Sequence, residues 1–313
     1  MRARRLPRRT RPLRRLTGGA AVFLLAGTGL AHADSQLTLA TGAQYSDGNY
    51  GDTAKTNAFV VPFSARITFG SWSVQASLPY VTVRGPANLG ELLDDSGGRG
   101  SNSGSGSSGS DGAGSDDTGS GDGGDDGGSA PLPPVPTAFP DDRSVRGIGD
   151  ASLSASWSLD ALAGSPIYLD LTGRVRFPSG SERDGLGVGA TDYFALTEVG
   201  FSAGRGGVFV SGGRRFLGNT TAAQRVDGWQ AGAGLWVAAG PHVTLGLNYD
   251  WRDASLAGGT APRFIESYLA WRLNDVWKIE LNGGVGLSNA SADMAAGISF
   301  SWRHASGTHR SIR

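Results

Sequence analysis

Apolar and polar residues alternate along most of this chain, and this period of two constrains its fold more than any other feature. In residues 277–287, for example, Trp277 and Ile279 share one parity, whereas Lys278 and Glu280 share the other. A β-strand places successive side chains on opposite faces, whereas a helix would mix the two sets. The pattern therefore predicts strands that each have one apolar and one polar face.

Twelve segments of this kind follow one another along the chain. They are predicted at 36–45, 57–69, 72–83, 147–158, 166–176, 191–203, 206–216, 228–238, 242–251, 263–273, 276–287 and 292–302. Short turns alternate with longer connections, as periplasmic turns alternate with extracellular loops in outer-membrane barrels. The sequence predicts an all-β fold, a transmembrane antiparallel β-barrel of about twelve strands over residues 34–303, with both termini in the periplasm and a periplasmic tail at 304–313.

Aromatic residues of the apolar parity cluster at the two ends of the predicted strands. Trp72, Trp157, Trp271, Trp277 and Trp302 lie beside short turns or the chain end, and Tyr45, Tyr80, Tyr193, Trp229, Tyr249 and Trp251 lie beside long loops. Amphipathic rings prefer the lipid–water interface, so two aromatic girdles are expected. A soluble β-sandwich or adhesin is the alternative, but it would not place tryptophan so regularly. Trp236 has the opposite parity and is interpreted as packing in the lumen.

The first 33 residues have the composition of an export signal. Eight arginines precede an apolar run at about 18–30, and Ala31-His32-Ala33 fits a small-x-small cleavage site. An uncleaved anchor is the alternative, but a helix needs roughly 20 apolar residues to span a bilayer. Cleavage near Ala33 would leave 20 basic and 28 acidic residues in a protein of the bacterial outer membrane.

A long connection at 84–146 is rich in Gly, Ser, Asp and Pro. Its acidic part, about 94–130, lacks the apolar residues that a folded segment needs, so a disordered extracellular loop is expected. Calcium binding is the alternative, because Asp-Gly runs resemble calcium-loaded repeats. Those repeats require regularly placed aliphatic residues, which are missing here.

The residue types needed for catalysis or for metal binding are scarce. Cysteine is absent and histidine occurs only four times, so neither a Cys/His metal cluster nor a Ser-His pair is indicated. The segment 185–189, Gly-Leu-Gly-Val-Gly, lacks the spacing and the helix of a nucleotide-binding loop, and it is interpreted as a glycine-rich turn at the membrane surface. The prediction is a protein that is not an enzyme and has no cofactor, no metal and no nucleic-acid partner.

Charged residues of the polar parity are the candidate lining of a lumen. They are Arg66, Asp150, Asp170, Arg174, Arg176, Glu198, Asp250, Glu266, Arg272, Lys278 and Glu280. One interpretation is a polar conduit in which these charges tune selectivity. The other is a set of ion pairs that stiffens the lumen, since opposite charges at short range tend to pair. Twelve strands enclose more space than side chains fill with eight, so a pore or a loop plug is expected.

Four short motifs resemble the outer-membrane family named for the meta pathway of phenol degradation. Residues 78–81 (Leu-Pro-Tyr-Val) resemble its Pro-Tyr strand, and residues 147–150 (Gly-Ile-Gly-Asp) resemble its Gly-x-Gly-Asp motif. Residues 174–180 (Arg-Val-Arg-Phe-Pro-Ser-Gly) are similar to the family's Lys-x-Pro-Thr-Gly motif at the end of a strand. The glycine-rich segment 185–189 resembles the glycine-rich segment that follows this motif in the family. The resemblance covers roughly 60–302 without the acidic insert, and it implies transport, with aromatic compounds as the expected substrates.

Taken together, these features predict an outer-membrane channel that passes small, aromatic or otherwise hydrophobic molecules. Its expected partners are outer-membrane lipid, the solute, and the barrel-assembly machinery during biogenesis. The alternative is a non-conducting structural or surface barrel whose acidic extracellular loop contacts other molecules.

Overall fold

The computed structural model describes residues 35–52, 54–86, 143–159, 165–220 and 224–306. The predicted signal peptide, the acidic part of the long connection and most of the predicted tail lie outside these residues. No helix in the described part of the chain is long and apolar enough to cross a bilayer.

Thirteen strands make up the described structure. They are β1 (Ser35–Gly48), β2 (Thr56–Phe69), β3 (Trp72–Arg84), β4 (Ser144–Ile148), β5 (Ala151–Ser158), β6 (Ile167–Phe177), β7 (Asp192–Ala203), β8 (Gly206–Phe216), β9 (Gly228–Ala238), β10 (Val243–Arg252), β11 (Arg263–Arg272), β12 (Trp277–Gly286) and β13 (Met294–Ser306). Every pairing between neighbouring strands is antiparallel.

The sheet closes on itself because β1 pairs with β2 on one side and with β13 on the other. β4 and β5 occupy one position, since both pair with β3. Between the pairs Tyr80–Ile148 and Ser77–Ser152, two residues of β3 face three residues of the other strand, which is a β-bulge. The protein is therefore a closed barrel of twelve strands.

The twelve predicted strands are confirmed, and no predicted end differs from the observed one by more than four residues. Two differences have physical causes. The bulge divides the predicted strand 147–158, and its first part begins earlier, at Ser144, because it pairs with β3 as far as Arg84. The last strand reaches Ser306 because it pairs with β1 along its full length, so His304 lies in the sheet, stacked on Trp302 with ring centroids 5.7 Å apart.

The apolar parity faces outward along the long strands, although near the long-connection end apolar side chains such as Val60, Val81 and Val83 also point inward. Trp72 and Trp277 near the short turns, and Tyr193 and Trp229 near the long connections, are each about half exposed. Trp72 also contacts Trp157 on β5, with ring centroids 6.5 Å apart. The two expected girdles are therefore present at opposite ends of an apolar outer surface, as in barrels embedded in lipid.

Inside the barrel, aromatic rings pack over glycines of the neighbouring strand. Tyr168 faces Gly200, and an added Cβ at that glycine would lie 2.1 Å from the tyrosine ring. The same contact joins other pairs of facing residues on β8 to β11. These pairs are Phe209 with Gly234, Trp236 with Gly207, and Tyr268 with Gly246. The inward orientation of Trp236 thus has a structural explanation, because its indole fills the space that the glycine leaves.

Substituting one of these glycines should destabilise the barrel. In Gly246→Ala the new methyl group would lie 2.1 Å from the ring of Tyr268, and overpacking of this kind costs about 1–3 kcal/mol. The free energy of unfolding, measured by urea titration in detergent or lipid, should fall by that amount. Gly212→Ala is the matched control, because nothing lies within 4 Å of its added Cβ. Equal stability of the two variants would contradict the packing argument.

Candidate functional site: the lumen and its inward loop

Two different walls line the interior of the barrel. From β13 through β1, β2 and β3 to β5, the inward positions carry mostly small or uncharged polar residues, such as Ser299, Gln44, Ser64, Gln75 and Ser154. From β6 to β12, the inward positions carry the aromatic rings on glycine and most of the inward charges. A solute in the lumen would therefore meet a hydroxyl-rich wall on one side and an aromatic, charged wall on the other.

The structure places the charged residues predicted from the sequence at different degrees of burial. Asp150, Arg176, Glu266 and Glu280 are buried, Arg66, Asp170, Arg174, Glu198, Asp250 and Lys278 are partly buried, and Arg272 is exposed near a short turn. Their roles in lining a conducting path remain a prediction.

Several of these residues are held by neighbours on the inner wall. Both Arg66 Nε and Nη2 donate to Gln75 Oε1, at 2.8 and 2.6 Å. On β12, Lys278 donates to Glu280 at 3.1 Å. The Tyr168 hydroxyl donates to Glu198 at 3.0 Å. In the described ranges no group of three or more His, Asp or Glu side chains is arranged to hold a metal ion. The wall can offer hydrogen bonds, charge and aromatic surface to a solute.

A buried ion cluster lies near the long-connection end of β6 and β7. Asp192 is fully buried and accepts hydrogen bonds from Arg176 and from Arg225, the latter at 2.7 Å. It also accepts one from the backbone N–H of Gly218 at 2.8 Å. One carboxylate thus fastens the connection between β8 and β9 to the inner wall.

Sequence reasoning did not select Asp192 or Arg225. Asp192 has the polar parity of a predicted strand, so alternation could have found it. Arg225 lies in a loop, where alternation gives no signal.

The connection between β6 and β7, residues 178–191, folds into the barrel, and we call it the inward loop. Its Leu186 packs in a buried cluster with Val60 of β2 and with Val81 and Val83 of β3, whose side chains point inward. Gly185 to Val188 are all buried. The interpretation of this glycine-rich segment as a turn at the membrane surface was therefore wrong. Inward-facing valines at the end of β3 give the loop an apolar surface on which to pack.

Asp150, at the β-bulge, is the anchor of the inward loop. Its carboxylate accepts hydrogen bonds from the backbone N–H of Gly180 at 2.9 Å and from that of Val188 at 2.7 Å. Beside it, the Ser179 hydroxyl donates to the carbonyl of Gly149 at 2.9 Å and accepts from the backbone N–H of Ala151 at 2.7 Å. The bulge supplies the extra residue that turns this carboxylate toward both ends of the loop.

Glycine is required where the loop closes on its anchor. A Cβ at Gly187 would lie 2.3 Å from Asp150 Oδ1, and one at Gly180 would lie 2.5 Å from the carbonyl oxygen of Leu186. The carbonyl of Pro79 accepts the backbone N–H of Gly149 at 2.9 Å. The four motifs that resemble the phenol-degradation family, although far apart in sequence, thus meet in one cluster.

The architecture is that of porin-like outer-membrane β-barrels. Among solved structures, the chain is similar to an outer-membrane channel from Pseudomonas putida F1, with a TM-score of 0.57 and 11% identity over 88% of this chain and 97% of that one. Weaker likenesses are the NanC porin (TM-score 0.48, 7% identity, 84% of this chain and 98% of that one) and the CymD monoaromatic hydrocarbon channel (0.40, 9%, 89% and 90%). At 11% identity the first likeness establishes the fold alone, and nothing is concluded from the two weaker ones.

No family model matches the chain, and no curated protein matches it in sequence.

Removing the anchor should release the inward loop. In Asp150→Ala the N–H groups of Gly180 and Val188 lose a charged acceptor, and each such bond contributes about 1.5–3 kcal/mol. Amide hydrogen exchange in residues 178–191 should therefore accelerate by at least about tenfold. Asp227→Ala is the matched control, since Asp227 accepts the backbone N–H of Leu217 in another connection. Unchanged exchange in the Asp150 variant would show that the apolar contacts alone hold the loop.

Proposed function

We propose that this protein is a channel of the bacterial outer membrane that lets small molecules diffuse through its lumen. One observation carries the proposal: the barrel is closed, with an apolar outer face and a polar inner face. A twelve-stranded barrel is wider than the eight-stranded barrels whose interiors side chains fill. The proposed path needs no cofactor and no covalent step.

The small residues on the wall from β13 to β5 support a path along the barrel. Serine, glycine and alanine take up little of the lumen, and the rings on the opposite wall pack against their facing glycines. At the long-connection end the inward loop packs against β2 and β3. The proposed path therefore runs beside the loop, and the loop narrows the entrance.

The substrate class that we propose is small aromatic or otherwise hydrophobic molecules. Tyr168, Phe209 and Trp236 are only partly buried, and they lie near the short-turn ends of β6, β8 and β9. Ring faces held against the wall can stack with a planar solute. The charged residues around them would keep the path wet and would set the preference for solute charge.

Location and partners are part of the same proposal. Export would depend on the signal at 1–33, and insertion would depend on the barrel-assembly machinery. The short turns would face the periplasm and the long connections would face outward.

Planar lipid bilayers test the channel directly. Purified full-length protein should give stable conductance steps, and deleting residues 95–130 should leave them, because the acidic loop is not part of the proposed path. Heat-modifiable migration on gels would verify that both proteins are folded. Folded protein that never conducts and never passes solutes into liposomes would overturn the proposal and favour a structural or surface barrel.

The aromatic wall can be tested by open-channel block. A small aromatic solute such as benzyl alcohol should interrupt the current by transient stacking, and Phe209→Leu together with Trp236→Leu should weaken the block by about 2- to 10-fold. Phe300→Leu is the matched control, because Phe300 faces outward and is 42% exposed. Equal block in the lumen and control variants would remove the stacking argument while leaving the channel itself in place.

A further inference from the structure

On the outer face of the barrel, charged residues lie at one end of the described strands only. Among the strand residues that the structure describes, outward positions carry five charged side chains, histidine aside. They are Asp47, Arg84, Arg146, Arg214 and Arg263. All five lie at the ends of strands that carry the long connections, and the ends beside the short turns carry none.

The acidic member of this set is already paired. Lys55 donates to Asp47 at 2.9 Å and lies 3.1 Å from Asp293, and the hydrogen bond to Asp47 is the main cause of the raised pKa of Lys55. The four arginines have no carboxylate within ion-pair distance among the described residues. We call Arg84, Arg146, Arg214 and Arg263 the outer-rim arginines.

The outer-rim arginines lie at the depth of the aromatic girdle or just beyond it. Arg214 faces Trp229 across the sheet, with the guanidinium carbon 5.0 Å from the centre of the ring. Arg263 faces Trp251. On β4, Arg146 comes two residues beyond Ile148, which faces Tyr80. Girdle aromatics mark the level of the lipid headgroups, so these guanidinium groups face the headgroup layer.

Outward arginines occur at the long-connection end of the described strands and not at the short-turn end, and this difference indicates the kind of partner that they bind. Both ends carry a girdle, and a charge near either interface costs little. Interfacial position alone therefore does not explain why every outward arginine lies at one end. Phospholipid headgroups place phosphate in both leaflets, so the explanation needs a lipid that is confined to one leaflet and whose phosphate groups are not neutralised by a cationic headgroup. The planar guanidinium binds such phosphate groups through paired hydrogen bonds. We infer that the outer-rim arginines bind the phosphate groups of the glycolipid in the outer leaflet of the outer membrane.

The adjacent pair of arginines is the strongest part of this surface. Arg146 faces Thr82, and Arg84 lies two residues further along β3. On neighbouring strands this spacing lets two long side chains reach one phosphate or two phosphates of the same lipid. Both side chains are exposed.

Native mass spectrometry of the detergent-solubilised full chain can test the inference, with lipid A carrying two, one or no phosphate groups as the probe. Wild-type protein should bind the doubly phosphorylated form most tightly. Arg84→Gln together with Arg146→Gln should weaken that binding by about 30-fold, the change that about 1 kcal/mol per arginine gives. Arg205→Gln is the matched control, because Arg205 is an exposed arginine in a short turn at the opposite end.

Each outcome decides the inference. Equal binding by wild type and the double variant, or equal binding of phosphorylated and dephosphorylated lipid A, would overturn it. Displacement of the lipid by millimolar inorganic phosphate would also overturn it, since the surface would then recognise free anions. Should the first variant fail to fold by gel shift, Arg214→Gln together with Arg263→Gln applies the same test on other strands. Conductance is measured separately, so failure of this inference and failure of the channel proposal are distinguishable.

Discussion

Closure of the backbone hydrogen-bond ladder between β1 and β13 is the constraint on which the rest of this structure depends. The pairing runs from Ser35–Ser306 to Asp47–Met294, and the other edge of β1 pairs with β2. A bilayer offers no partners for unpaired N–H and C=O groups, so a membrane-spanning sheet must leave no edge. Closure also gives every strand an inner and an outer face. The alternation in the sequence places mostly polar residues on the inner face and mostly apolar residues on the outer face.

The packing of rings on glycines explains how a wall rich in aromatic residues can leave space along the axis. A ring that stands away from the wall would fill the lumen, but Tyr168 and Trp236 lie over Gly200 and Gly207. The glycine lacks the Cβ that would hold the ring away, and the ring in turn packs on a strand weakened by the missing side chain. One contact therefore stabilises the sheet and holds an aromatic ring close to the wall of the lumen.

The sequence predicted what depends on residue parity and missed what depends on contacts between distant segments. Alternation located all twelve strands and the girdles, because each requires only that successive residues point to opposite sides. It gave no indication of the bulge at Gly149 and Asp150, since one extra residue leaves both halves of the strand alternating. The inward course of residues 178–191 was also missed, because glycine permits both a surface turn and close packing.

The inward course of the loop at the long-connection end depends on several strands together. Val81 and Val83 provide apolar contact for Leu186, whereas Asp150 provides the polar anchor for Gly180 and Val188. The two contributions complement each other, because the apolar patch covers the side chain of Leu186 and the loop's N–H groups need an acceptor away from water. Bulge, valines and glycines therefore act on the same loop, which gives a physical reason for four separated motifs to occur in one chain.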